Sequence, residues 1–355
     1  MATKGKYMAY VGSYSYTGKA KGITVYDVDV DKGIFKERCE VEVDNSSYVI
    51  ASHDGKTLYS IADEGVVAFR ILSNGSLSRL NSAKIKGMRG CHLSTDAKDK
   101  YVFVSGFHDG KATILRLRRD GGVGEIVDGV FHKGLGSVAD RNFRPHVTCC
   151  RRTPDNKYVM AADSGLDQVK IYRFGSKDEH LVQVDAIRCD LESAPRHFRF
   201  SEDGRFIYLM YEQKNVIDVY TYESGDRVPV IEKIQTIPTT GKKCNALTAA
   251  CCMRLSKDEE QKYLFCGNAG DETVSVYKRD KETGLLEQLC CLPISGEYPK
   301  DIAIFPDNKH IASINHESDS ITFFSVDYEK GLLVMSSNAI PCNEPNCCVI
   351  VKVSD

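Results

Sequence analysis

Apolar and polar positions alternate with a period of two in short runs, and the runs arrive in sets. One set spans Ser193 to Tyr222, SAPRHFRFSEDGRFIYLMYEQKNVIDVYTY. Phe198-Arg199-Phe200 alternates and stops at Glu202-Asp203-Gly204. Phe206 to Met210 and Val216 to Tyr222 follow, rich in β-branched and aromatic residues, so three strands are predicted. The Asp-Gly turn predicts a tight hairpin between the first two. Antiparallel pairing then sets the start of one strand beside the end of the next. Pro195-Arg196-His197 and Tyr211-Glu212 share one sheet edge.

The set recurs. Each copy can be anchored on the basic residue that follows the turn and opens the second strand. The anchors are Lys6, Lys56, Lys100, Lys157, Arg205, Lys262 and Lys309, spaced 44 to 57 residues apart. Each continues into a third strand, from ITVYDVD after Lys6 to SITFFSV after Lys309. Strand-only repeats with a period near 50 predict a β-propeller with one four-stranded sheet per repeat. Seven copies predict an all-β, seven-bladed propeller.

Six anchors are preceded by a first strand and its turn, but Lys6 has no room for one. The missing copy is Glu344 to Val351, at the other terminus. The C-terminal strand is therefore expected to pair with the N-terminal blade and close the propeller, leaving no open sheet edge at the seam. Residues 1–355 are expected to form a single domain, because each blade buries its faces only against its neighbours.

Composition adjusts this picture in a few places. The 355 residues are 42% hydrophobic, enough for a large core, and carry a formal net charge of −2. With Lys and Arg scattered, neither nucleic acid nor an anionic membrane is an expected partner. The N-terminal MATKGKYMAYVG lacks an apolar run of signal-peptide length and no stretch approaches a membrane span, so a cytoplasmic location is expected. Fourteen cysteines include no CxxC pair, and four vicinal doublets account for eight of them. Three doublets, Cys149-Cys150, Cys251-Cys252 and Cys347-Cys348, fall in predicted first strands. Neighbours there should face opposite ways, which does not suit one metal ion, so the cysteines read as small apolar residues and reduced thiols. The glycine-rich Thr17–Gly22 stretch lacks the strand-to-helix context of a phosphate loop and reads as a hairpin connection. Gly121 to Asn142, with His132, reads as an insertion over one face, and Thr239 to Lys243 as a mobile loop.

Four segments together resemble a known family: YVGSYSYTGKAKGITVYDVD, RPHVTCCRRTPDNKYVMAADSGLDQVKIYRF, APRHFRFSEDGRFIYLMYEQKNVIDVYTY and YPKDIAIFPDNKHIASINHESDSITFF. They span nearly the whole chain and resemble the seven-bladed propeller lactonases, which include bacterial propeller-type 6-phosphogluconolactonases and fungal carboxymuconate lactonizing enzymes. The resemblance implies Arg196 and Glu212 as site residues, with His146 of Arg144-Pro145-His146 as a neighbour. The sequence departs from the family at three places. Thr148 stands where many members have the second histidine of PHxH, Ala269 lies where an arginine is usual, and Lys300 replaces the arginine of Pro-Arg. These departures weaken the fit to a phosphorylated or multiply anionic substrate, and Lys300 keeps charge without bidentate geometry.

Opening a lactone needs a base to activate water and a cation to hold the developing oxyanion or a substrate carboxylate. Glu212 is the candidate base, His146 its alternative or the acid, and Arg196 and Lys300 the anion holders. His92 and His316 share the same predicted edge and are candidate substrate contacts. Each has a plainer reading: Arg196–Glu212 as a structural ion pair, and His146, His92 and His316 as packed side chains. By alternation His197 faces away from Arg196, into the packing between blades. No metal or cofactor is implied. The expected function is hydrolysis of a sugar lactone in the manner of 6-phosphogluconolactonase. The alternatives are lactone formation by an intramolecular lyase resembling muconate cycloisomerase, or a non-enzymatic ligand-binding propeller. The expected partner is a small anionic or sugar-derived substrate, and the expected state a monomer or weak homo-oligomer.

Overall fold

The computed structural model describes residues 5–136, 143–175 and 178–354, and among them there is no α-helix. Seven antiparallel sheets follow one another along the chain, each coming from one repeat. The first orders Pro345–Ser354, Lys6–Ser13, Gly22–Asp29 and Ile34–Glu42. The C-terminal strand therefore fills the first place of the first sheet, pairing Tyr10 with Val349 and Val11 with Cys348. The remaining six sheets begin with Val49–Ala51, His92–Thr95, Val147–Arg152, Pro195–Phe200, Ala249–Leu255 and Pro299–Ile304. The protein is a seven-bladed β-propeller.

The anchor turn recurs for a local reason. In six repeats an Asp Oδ1 accepts the anchor residue's backbone N–H: Asp54 from Lys56, Asp96 from Lys100, Asp155 from Lys157, Asp203 from Arg205, Asp258 from Lys262 and Asp307 from Lys309, all at 2.7–3.1 Å. Such Asx bonding holds a tight turn where the ladder cannot. A Ser or Thr two residues before the Asp adds a second tie at three of them. Ser201 Oγ, for instance, donates to Asp203 and accepts the N–H of Phe206 at 3.0 Å. The basic side chain that marks each repeat is exposed or half-exposed; the backbone turn behind it is what repeats.

By packing, the described residues divide into two compact units, one within 1–60, 69–79 and 238–355, the other within 61–68 and 80–237. In the second unit, Phe103, Ile114, Val159 and Phe174 join the third sheet to the fourth, and Met160, Phe198 and Leu209 join the fourth to the fifth. In the first unit, Phe265, Val276, Ile304 and Phe324 pack the sixth sheet on the seventh. Ala9, Phe35, Phe323 and Ile350 pack the seventh on the first. Second strands such as Tyr101–Gly106, Tyr158–Asp163 and Phe206–Tyr211 are buried at every position. Each large apolar side chain buried there contributes about 1.5–3 kcal/mol.

Three expectations change. Gly121 to Asn142 is only partly an insertion: Val123–Phe131 is the outer strand of the third sheet, and residues 137–142 lie outside the described residues. Thr239 is buried rather than part of a loose loop, its carbonyl accepting from Asn268 Nδ2 at 2.7 Å and from the Ser275 hydroxyl. The doublets do not all alternate. Cys149 packs towards the fifth sheet and Cys150 towards the third, as expected. Cys251 and Cys252, however, both donate to the Pro299 carbonyl, at 3.0 and 3.3 Å. A β-bulge between Ala250 and Cys252 breaks the period of two and turns both thiols the same way.

Candidate functional site

That bulge recurs at the same place in the first strands of five sheets. The register slips between Val147 and Cys149, Pro195 and His197, Ala250 and Cys252, Pro299 and Asp301, and Pro345 and Cys347. The extra residues are Thr148, Arg196, Cys251, Lys300 and Asn346. A bulged residue leaves the ladder and its side chain is re-aimed. Proline at the first strand position favours this in three of the five, because Pro195, Pro299 and Pro345 bring no N–H to the ladder. Small residues at the bulge stitch one sheet to the next: Thr148 Oγ1 donates to Pro195 O at 3.1 Å and Cys251 Sγ to Pro299 O. Arg196 and Lys300 are too long for that stitch and carry charge.

In the second unit, Arg196 Nη1 lies 2.5 Å from Glu212 Oε2, with each side chain about one-fifth exposed (20% and 21%). Glu212 follows the second strand, Phe206–Tyr211, and its N–H donates to Ala194 O at 2.8 Å, fixing the backbone opposite the bulge. Its Oε1 accepts no hydrogen bond among the described residues, so that oxygen is the one available to a water. The Arg196 charge also reaches Cys91, whose thiol is pushed up to about 12 by burial, with Arg196 opposing the rise.

His146 sits one residue before its strand and is 5% exposed. Its Nδ1 lies 2.7 Å from Phe107 O and its ring stacks on Phe107 at 4.2 Å. A carbonyl can only accept, so Nδ1 carries the proton and Nε2 is left as the acceptor nitrogen. Behind it is an arrangement that sequence reading missed. Asp163 Oδ1 accepts the N–H groups of His146, Gly165 and Leu166 at 2.8–3.0 Å, and its Oδ2 meets His132 Nδ1 at 2.7 Å. The side chains of both Asp163 and His132 are fully buried, and burial holds His132 below the usual histidine range despite the carboxylate. The signal was present as Asp163-Ser164-Gly165, a carboxylate at a strand end two residues before a glycine. Its partner His132 is 31 residues away and could not be read locally.

His92 is placed away from any open surface. It is 1% exposed, with Nε2 3.3 Å from Arg151 Nη2 and its ring 5.5 Å from that of His197. The half-buried His197 ring packs near that of His92, and the bulge, not simple alternation, brings Arg196 to Glu212.

In the first unit, Lys300 and His316 occupy the places that Arg196 and Glu212 hold in the fifth sheet. The Lys300 ammonium stands over the rings of Tyr14 and Tyr298, 4.8 and 5.4 Å from their centroids. His316 meets the same two rings edge-on at 5.7 and 5.8 Å. Its Nδ1 lies 3.1 Å from Pro345 O, which leaves Nε2 as the acceptor. Burial, then the Lys300 charge, holds the imidazole below the usual histidine range. Ala269, in the strand Tyr263–Ala269, brings no charge to the equivalent place in the sixth sheet. Among the described residues no group of three or more His, Cys, Asp or Glu is placed to hold a metal ion. No helix among them is long and apolar enough to cross a membrane.

Fold and site together define a seven-bladed β-propeller that pairs a cation with a carboxylate at a recurrent bulge. The chain belongs to the lactonase family of seven-bladed β-propellers, whose description matches residues 8–350, and it is a lactone hydrolase. It is 26% identical to the 6-phosphogluconolactonase of Bacillus subtilis, with 96% of this chain and 97% of that one aligned. Among solved structures it resembles a Bacteroides fragilis protein provisionally named a 6-phosphogluconolactonase, with TM-score 0.87, 28% identity and 99% of both chains covered. It also shares the fold of the periplasmic gluconolactonase of Pseudomonas aeruginosa, with TM-score 0.90, 24% identity and 98% and 99% covered.

Proposed function

We propose that the protein hydrolyses a sugar-derived lactone, with 6-phosphogluconolactone the first substrate to test and non-phosphorylated sugar lactones the second. The observation that carries this is the Arg196–Glu212 pair, set at 2.5 Å on a bulge and only partly buried. Glu212 Oε1 takes a proton from water as the water oxygen attacks the lactone carbonyl. Arg196 stabilises the oxyanion or holds the substrate's anionic group. The ring C–O bond then breaks, and the leaving alkoxide takes up the proton that the Glu212 carboxyl holds; His146, whose Nε2 is an acceptor, is the alternative base that would take and return the same proton. The product acid ionises at neutral pH, so turnover releases a proton. Lys300, with His316, is assigned to substrate binding, and mutants at each measure its share; the buried His92 is left to packing. The name of the Bacillus subtilis relative supports the phosphorylated substrate, whereas Thr148, Ala269 and Lys300 favour a less anionic one. We place the protein in the cytoplasm, as a single-domain monomer or weak homo-oligomer.

The experiment is proton release from a panel of lactones. Rates above spontaneous hydrolysis support the proposal, and a phosphorylated-to-plain preference names the substrate class. Failure to exceed the spontaneous rate for every lactone makes this chain a binding module on the family's fold.

A further inference from the structure

At the far end of the fourth sheet's first strand, away from His146, the second unit carries a cleft of about 570 Å3. That strand, Val147–Arg152, is six residues long, so its two ends stand roughly 17 Å apart at ~3.3 Å per residue. Five cations line the cleft, Lys98, Lys100, Arg152, Lys157 and Arg173, against two carboxylates, Asp96 and Asp226. Neither carboxylate answers the charge well. Asp96 Oδ1 is engaged by the backbone N–H groups of Lys100 and Tyr101 at 2.7 and 2.8 Å. Lys100 is partly answered from outside the lining by Glu179 at 3.7 Å, but Glu179 also holds Arg116. Lys98, Lys157 and Arg173 have no ion pair among the described residues.

Arg152 is the buried member, its side chain 8% exposed. Its Nε and Nη2 donate only to backbone carbonyls, those of Asn156 and Phe174. Nη1 makes no hydrogen bond among the described residues, and its nearest carboxylate oxygen, Asp96 Oδ2, is 4.0 Å away. The guanidinium also lies against the rings of Tyr101 and Phe174, at 5.6 and 5.1 Å, which hold it in place. Burying a cation this far without a hydrogen-bonded carboxylate is costly. A guanidinium with one open nitrogen at the floor, and cations on the rim, is the arrangement that receives an oxyanion.

We infer that this cleft is a second ligand site, distinct from the Arg196–Glu212 pair, which binds a small phosphate-bearing anion on Arg152 Nη1 with Lys157 and Arg173 at its rim. The volume suits a small molecule and not a polymer, in keeping with the chain's net charge of −2. Nothing in lactone hydrolysis calls on it.

The test is titration of the full chain with pyrophosphate by calorimetry at constant ionic strength, with citrate as a carboxylate of similar charge. One saturable site that prefers pyrophosphate is expected. Lys157→Glu/Arg173→Glu, altering exposed side chains and so sparing the fold, should weaken it about tenfold or more. Lys309→Glu, the matching anchor residue of the seventh repeat, and Arg196→Ala should leave it unchanged. Lactone hydrolysis by Lys157→Glu/Arg173→Glu should equal wild type. Absence of saturable binding at millimolar pyrophosphate would overturn the inference, as would tighter binding of citrate. Equal weakening by Lys309→Glu would reduce it to general charge screening, and loss in Arg196→Ala would assign the anion to the lactone site.

Discussion

At Arg196 and at Lys300 the chain makes the same backbone move, and the two places then diverge. Each cation occupies a bulge after a proline, opposite the residue that ends a second strand, with equivalent backbone bonds from Glu212 N to Ala194 O and from His316 N to Tyr298 O. In the fifth sheet the partner is a carboxylate, and the two charges close on each other at 2.5 Å. In the seventh the partner is an imidazole, which burial, then the Lys300 charge, holds below the usual histidine range, and the ammonium turns to the faces of Tyr14 and Tyr298. The backbone slot sets where a functional side chain stands; the residue beside it decides whether the slot holds a fixed ion pair or a cation beside a neutral proton acceptor. The fifth-sheet pair has both an anion holder and a carboxylate oxygen open to water, which is why the base is assigned there.

Removing one slot's backbone should have the largest effect. Deleting residues from Pro345 onward takes away the strand that completes the first sheet and the carbonyl that holds His316. The expected product is insoluble or strongly destabilised; a soluble monomer with unchanged melting would contradict the closure. Next, Arg196→Ala should lower kcat/KM for the best lactone about a hundredfold with melting little changed, as one preorganised oxyanion contact is worth. Lys300→Ala should cost less, about tenfold, mainly in KM, and more for a phosphorylated than a plain lactone. Equal losses for the two lactones would remove Lys300 from anion binding. The smallest effect concerns pH. Because the folded state holds His316 below its unfolded pKa, the unfolded chain binds the proton more readily, so His316 costs stability as pH falls through the ordinary histidine range. His316→Gln should therefore lose less Tm than wild type between about pH 7.5 and about pH 5.5. His132 and His108, shifted in the same direction, should keep part of the slope.

The repeats were legible because burial writes them plainly. Second strands such as Phe206–Tyr211 are buried on both faces and read as apolar runs, and the Asp that caps each anchor turn is local. The outer strands were not read individually. Ile34–Glu42 and Val230–Pro238 are largely exposed, and their polar residues look like loop. The edge shared by Arg196 and Glu212 followed from the hairpin alone. What the period of two could not supply was the bulge, since one extra residue shifts the register without a mark in the apolar pattern. That is why the Cys251-Cys252 doublet was expected to face two ways and does not. His92 was legible as an edge residue, but not its burial against Cys149 and Arg151, which come from the next sheet. The His132–Asp163 clamp escaped for the same reason.

The assignment of the base rests on Glu212, and one comparison reaches it directly: proton release during lactone hydrolysis by wild type and Glu212→Gln, with melting measured on both. Glutamine keeps the size of the side chain and a hydrogen bond to Arg196 but cannot accept the water proton. The account predicts a fall in turnover of about 10²-fold or more at unchanged Tm. Equal turnover in the two proteins would contradict it, and would leave the Arg196–Glu212 contact as an ion pair that ties two strands together.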